Sequence, residues 1–309
     1  MMAKFLKYLT IFMLPILLLG FGLEIILRSI PNDYASKNKY LEENSNKIKW
    51  LFLGNSHVYY GIDPQFLSVF SFNAAYISQS LDLDLKLLEN HNDKWDSLKS
   101  IIITVDYFSF NGKLEDGLEG WRIKNYNIYH DFSAENGIIY NTEVLSNKLN
   151  VNFNRIRNYY YNDISNISCS DLGWGKMYTS KMQKDLLVTG KEEAKRHRAR
   201  HPENFDEMYG ILRSMLEFAK ARKVKVLLFT APAYKSYVQN LDQAQLNRVV
   251  NAANQLAKAY DNTVYINLLT DVSFTKDDFY DGDHLNEIGA KKLTIKIDSI
   301  QRSLNKSLE

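Results

Sequence analysis

Residues 48–57 read Ile-Lys-Trp-Leu-Phe-Leu-Gly-Asn-Ser-His. The run 48–53 is short and mostly apolar and ends at a glycine, the pattern of a buried strand feeding a turn. A purer run lies at 100–105, where Ile-Ile-Ile-Thr-Val is the β-branched signature of a parallel strand covered on both faces. Further strands are expected at 69–73, 224–229 and 263–268. Between them, apolar residues recur at helical spacing over 81–88 (running on toward Trp95), 207–221, 241–260 and 286–300. Strands alternating with helices predict an α/β fold with a parallel sheet covered on both faces. Residues 111–206 break the rhythm. They hold Trp121, Tyr126, Tyr129, Tyr140, Tyr159, Tyr160, Tyr161 and Trp174, and are expected to form an aromatic-rich insertion or cap.

Ahead of the α/β region, Tyr8 to Leu23 is almost wholly apolar, interrupted by Thr10. With Lys7 and Glu24 reaching toward headgroups, the segment approaches the ~20 residues of a membrane span. No small-residue cleavage site follows it, which favours an uncleaved anchor over its competitor, a signal peptide. The expected organisation is therefore an anchor at 1–30, a polar linker at 31–46 and an α/β domain at 47–309. Lys4 and Lys7 precede the span, but Arg28, Lys37 and Lys39 follow it, so charge does not decide orientation. The short N-terminal tail favours a single-pass protein with its catalytic domain outside the cytoplasm.

The chain has 38 basic and 36 acidic residues, a formal net charge of +2, which argues against a nucleic-acid surface. Its single cysteine, Cys169, forms no internal disulfide and rules out cysteine-based zinc sites. No cofactor or metal is expected. His91, His130, His197 and His201 follow no ligand pattern and read mostly as surface residues. Asp82 and Asp84 read as a helix start, and the basic stretch 191–200 as a solvated helix face. His57 adjoins Ser56, but adjacency alone does not aim its ring at the same site.

Two short motifs carry the chemistry. Leu53-Gly54-Asn55-Ser56-His57 follows the first strand at its carboxyl end, where open α/β sheets place their sites. Its bland alternative is a serine capping a helix. Asp281-Gly282-Asp283-His284 precedes the last helix, and an acid three residues before a histidine lets one loop present both. Ser56, His284 and Asp281 thus offer a nucleophile, a base and its orienter. Asp283 is left to the loop. No Gly-x-Ser-x-Gly elbow is present.

These motifs resemble the nucleophile block and the terminal Asp-x-x-His block of the SGNH/GDSL hydrolase superfamily. The resemblance covers 47–309, with the aromatic insertion poorly matched. It implies a flavodoxin-like three-layer α/β/α sandwich and serine-dependent acyl chemistry through an acyl-Ser56 intermediate. The superfamily's other oxyanion donors come from a glycine block and a Gly-x-Asn-Asp block. Here the corresponding stretches are Asn73 to Ser80, without glycine, and Asp106-Tyr107-Phe108-Ser109. Backbone N–H groups of Ala75 or Ser78 are candidates for the second donor; Tyr107, Ser109 or Asn111 are candidates for the third. The departures and the anchor resemble the membrane-anchored branch that O-acylates cell-surface polymers, such as the lipoteichoic-acid D-alanylation and alginate O-acetylation proteins. That branch implies an acetyl-like acyl group, a cell-surface polysaccharide or other glycan acceptor and a membrane-bound O-acyltransferase partner. It leaves transferase and esterase open. The rival is a noncatalytic SGNH-like scaffold that binds glycan or docks on a membrane acyltransferase. Aromatics of the insertion, with Tyr234 and Tyr237, are candidates for a saccharide groove.

Overall fold

The structure is a computed structural model that describes residues 1–306 apart from Asp131. In chain order its helices and strands are α1 (Met2–Arg28), α2 (Asp33–Asn44), β1 (Trp50–Leu53), α3 (Ser56–Gly61), β2 (Ser71–Asn73), α4 (Leu81–Asn90), β3 (Ser100–Thr104), α5 (Ile123–Tyr129), α6 (Glu143–Ser146), α7 (Leu149–Tyr160), α8 (Leu186–Arg196), α9 (Phe205–Ala221), β4 (Lys225–Thr230), α10 (Lys235–Gln239), α11 (Gln243–Ala259), β5 (Thr263–Asn267) and α12 (Glu287–Lys306). The chain groups into two compact units. One is Met1–Asn38 with Gly120–Ser168; the other is Lys39–Glu119 with Cys169–Glu309.

The second unit holds the sheet. Its strands are all parallel in the order β2-β1-β3-β4-β5, the flavodoxin-like winding with its switch point between β1 and β3. Register puts Leu51, Ile101 and Val226 abreast on one face and Phe52, Ile102 and Leu227 on the other. The first face packs with Leu88 of α4, Met208, Leu212 and Met215 of α9, and Val249 and Leu256 of α11. On the second face Gln301 of α12 donates from Nε2 to Ser100 Oγ at 2.6 Å. Both faces are buried, which is why the strands read as unbroken apolar runs rather than alternating ones.

The first unit contains α1, an exposed apolar helix whose most apolar 18-residue window has a mean hydropathy of 2.3. At about 1.5 Å per residue it is long enough, and apolar enough, to cross a membrane.

Three expected stretches take a definite form. Residues 31–46, expected as a polar linker, are mostly the helix α2: Asn32 Oδ1 accepts from the N–H groups of Tyr34 and Ala35 and starts it, a local capping signal hidden in polar sequence. The helix expected over 241–260 forms as α11, and Asp242 sets its start by accepting from the Gln245 N–H at 3.1 Å. The stretch 111–206 is also divided: Gly120–Ser168 groups with α1, while the segment from Cys169 onward groups with the sheet.

Candidate active site

The site is built at the carboxyl ends of β1 and β3. Gly54 has φ of +134°, and the methyl of Thr104 lies 2.5 Å from where a β-carbon would stand, so only glycine fits between the strands. The Gly54 N–H donates to Asp84 Oδ1 at 2.9 Å. Asn55 caps α3, its Oδ1 accepting from the His57 N–H at 2.8 Å. Because Asn55 does the capping, Ser56 becomes the first residue of α3 and its hydroxyl is released from that duty. Ser56 Oγ lies 2.8 Å from His284 Nε2.

His284 comes from the loop before α12, which Asn286 starts by accepting from the N–H groups of Ile288 and Gly289. Asp281 Oδ1 accepts three times: from His284 Nδ1 at 3.0 Å and from the N–H groups of Asp283 and His284. That carboxylate therefore fixes both the ring and the loop that carries it. Ser56, His284 and Asp281 form one hydrogen-bonded line.

Asp283, which sequence reading left to the loop, lies inside the same cluster. Its carboxylate is 3.2 Å from His284 Nδ1, 3.2 Å from His57 Nε2 and 3.6 Å from His197 Nδ1. His57 in turn sits 2.9 Å from Asp106 Oδ2. Asp106 also accepts from Asn55 Nδ2, Thr104 Oγ1 and the Ala231 N–H, joining the ends of three strands. A buried chain thus runs Asp106–His57–Asp283–His284. Burial opposes charge on His57, but Asp106 and Asp283 outweigh it and raise its pKa to about 9. Burial likewise opposes charge on His284, and Asp283 and Asp281 together push its pKa well above the ordinary histidine value. His197 goes the other way: burial drives it down to about 3, so it stays neutral and bonds Tyr237 Oη at 2.9 Å.

Three expectations need correction. His91, His130 and His197 are not surface residues; all three are largely enclosed. Asp82 and Asp84 do stand in the first turn of α4, as expected; Asp84 is also buried, bonded by Gln79 and Gly54, and burial pushes its pKa up to about 8. The basic run of 191–200 is more than a solvated face. Arg196 and Arg198 line the cavity over Ser56, while pairing with Glu193 and Asp242 respectively. Of the named aromatics of 111–206, Trp174 belongs to the same unit as that cavity and does not line it; the aromatic wall is Phe108. Tyr234 borders a different hollow and Tyr237 is buried against His197. Next to His284 stands a stack of Tyr60, Tyr178 and Tyr280, with ring centroids 3.6 and 3.8 Å apart.

The donor candidates separate clearly. The cavity of about 210 Å³ is lined by Ser56, Ser78, Ser109 and Asn111, and by neither Ala75 nor Tyr107. The Ala75 N–H is spent on Asn73 Oδ1, and the Tyr107 hydroxyl accepts from the Asp242 N–H. Ser109 Oγ accepts from the Asp106 N–H and holds that turn. Ser78 sits in the left-handed region at φ of 59°, a conformation a glycine would take without strain, and its hydroxyl donates to Glu119. Asn111 Nδ2 is buried with no hydrogen-bond partner among the described residues. A buried amide left unmatched in the lining of the cavity that Ser56 also lines is a donor in wait for an acceptor.

No family model and no curated protein matches the chain. Among solved structures it is similar to a proposed platelet activating factor from Streptococcus pneumonia, at 13% identity, covering 94% of this chain and 98% of that one with a TM-score of 0.45. It is similar to a proposed acylhydrolase from Bacteroides fragilis, at 16% identity, covering 90% and 100% with a TM-score of 0.41. It is likewise similar to a GDSL-like lipase from Bacteroides thetaiotaomicron, at 14% identity, covering 87% and 99% with a TM-score of 0.41.

Proposed function

We propose that this protein is a serine-dependent esterase or O-acyltransferase of the SGNH/GDSL type, acting on acyl esters of a cell-surface glycan from a membrane anchor. The observation that carries the reading is the hydrogen-bonded line from Ser56 through His284 to Asp281, opening on a cavity. The glycan acceptor, the extracytoplasmic placement and a membrane-bound O-acyltransferase partner rest on the motif resemblance together with α1.

In this mechanism His284 Nε2 takes the Ser56 proton as Oγ attacks an acyl carbonyl, and Asp281 holds the opposite ring N–H in place. The oxyanion is met by the Ser56 N–H, a first-turn donor with no helical acceptor, and by Asn111 Nδ2. Collapse expels the alcohol, which takes the proton from His284. A water or a sugar hydroxyl then attacks acyl-Ser56, with His284 as base again. An alkyl fluorophosphonate tests the nucleophile directly. Ser56 should carry the phosphonyl mass, and His284→Ala should take it up far more slowly. An unlabelled Ser56 in the intact chain would support the noncatalytic scaffold instead.

Asn111→Ala should lower kcat by about 10²-fold, the usual loss for one oxyanion donor, with KM nearly unchanged. Equal losses in binding and turnover, or none, would assign Asn111 to packing.

Asp283→Asn tests the second carboxylate through pH. His284 must be neutral to act, and the nearby anions raise its pKa. In the wild type the acidic limb of the rate profile should therefore lie above pH 6.5. Removing the Asp283 charge lowers the His284 pKa, so the limb should move to lower pH. A limb that stays in place would show that Asp283 does not act on His284.

A further inference from the structure

Helix α7 presents its apolar side outward. Leu149, Phe153, Ile156 and Tyr160 recur at helical spacing and form one stripe. Leu149 and Phe153 are 59% and 61% exposed, and Tyr160 is exposed too. About a quarter turn away, Asn152 and Arg155 face the interior instead. Asn152 is 1% exposed, and Arg155 pairs with the fully buried Glu143. Glu143 also accepts from Lys124 Nζ and from Tyr129 Oη, both at 2.6 Å. This unit therefore encloses a charge cluster while leaving Leu145, Leu149 and Phe153 outside, the reverse of what water selects for.

The stripe is tied to the end of α1. Glu24 accepts from the N–H groups of Glu143 and Val144, each at 3.0 Å, and so caps α6. Arg28 bonds both Glu24 and the Asn141 carbonyl. Ser29 Oγ is 3.2 Å from Tyr160 Oη. The last turn of α1 is thus bolted to α6 and to the carboxyl end of α7, and exposed Ile25 and Ile26 belong to that same turn of α1.

We propose that α6 and α7 lie in the interface of the bilayer that α1 crosses, with Leu145, Leu149 and Phe153 inserted among the acyl chains. The occupant is lipid because the patch continues the apolar surface of α1. Tyr159, Tyr160 and Tyr161 suit the headgroup level, and exposed Lys148 and Arg157 suit anionic headgroups. The α6–α7 pair is then a monotopic foot that fixes the tilt and rotation of its unit at the membrane, which a single span leaves free.

The proposal rests on α1 lying in a bilayer, and one experiment separates the two. The full chain is reconstituted in nanodiscs of phosphatidylcholine and phosphatidylglycerol containing a lipid-borne nitroxide. An environment-sensitive fluorophore is attached through Leu14→Cys, Leu149→Cys, Phe153→Cys or Val272→Cys, one at a time. All four positions are exposed and Cys169 is buried, so the introduced thiol is the reactive one and the fold is spared. Labels at 14, 149 and 153 should be blue-shifted and quenched at least twofold more than the label at 272. Quenching at 14 with 149 and 153 no different from 272 would overturn the foot. So would labels at 149 and 153 that crosslink to a protein in native membranes yet escape the nitroxide. No quenching at 14 would remove the anchor itself.

Discussion

Ser56→Ala should lower acetyl-ester hydrolysis by about 10⁴-fold or more in kcat, with substrate affinity nearly intact. The change removes one oxygen from a half-buried position, so the fold should survive it. His284→Ala should cost about as much, and the double variant little more, because nucleophile and base act as one unit. Additive losses would mean that the two residues do not share a step. Hydrolysis by purified full chain in detergent micelles measures this, with Asp281→Asn as a third arm. The Asp281 variant keeps an amide oxygen that can accept from the loop N–H groups but loses the charge that orients and stabilises the His284 ring, so it should fall between wild type and Ser56→Ala.

Gly282→Ala should lose both stability and activity. A β-carbon at Gly282 would meet the backbone of Gly190 in α8, and backbone cannot turn aside as a side chain can. The Gly282 N–H also donates to Thr189 Oγ1, and its carbonyl accepts from the Tyr234 N–H. Either α8 moves off or the loop carrying Asp281 and His284 shifts. Overpacking of this kind costs about 1–3 kcal/mol. A shift near 1 Å in His284 costs about 10²-fold in rate. Urea unfolding and the hydrolysis assay should therefore report both losses. A variant stable and active as wild type would show that the α8–loop contact yields freely.

Much of the sheet was legible because it is local chemistry. Ile101 to Ile103 can be little other than a doubly covered strand, and the expected strands all form within a residue or two of their boundaries at most ends. The two motifs were legible for a similar reason. Gly54 must turn, Asp281 and His284 share one loop, and both sit at strand or helix ends. Sequence also separates the apolar α1 from the rest of the chain, since composition alone sets its length and hydropathy.

Tertiary structure decided what depends on meetings across the chain. Whether Ser56 caps a helix or faces a base turned on its neighbour, because Asn55 takes the cap. Asp106, His57 and Asp283 come from three separate segments, and no spacing links them; packing beyond β1 and β3 brings their charges into one dry cluster where each sets the protonation of the next. Asn111, one of three candidates for the third donor, was set apart from the others only once its amide was seen buried in the lining of the cavity that Ser56 shares, with no acceptor among the described residues. The outward stripe of α7 was hidden as well. Its periodicity is that of any amphipathic helix, and sequence carries the period of an apolar face but not the solvent it meets.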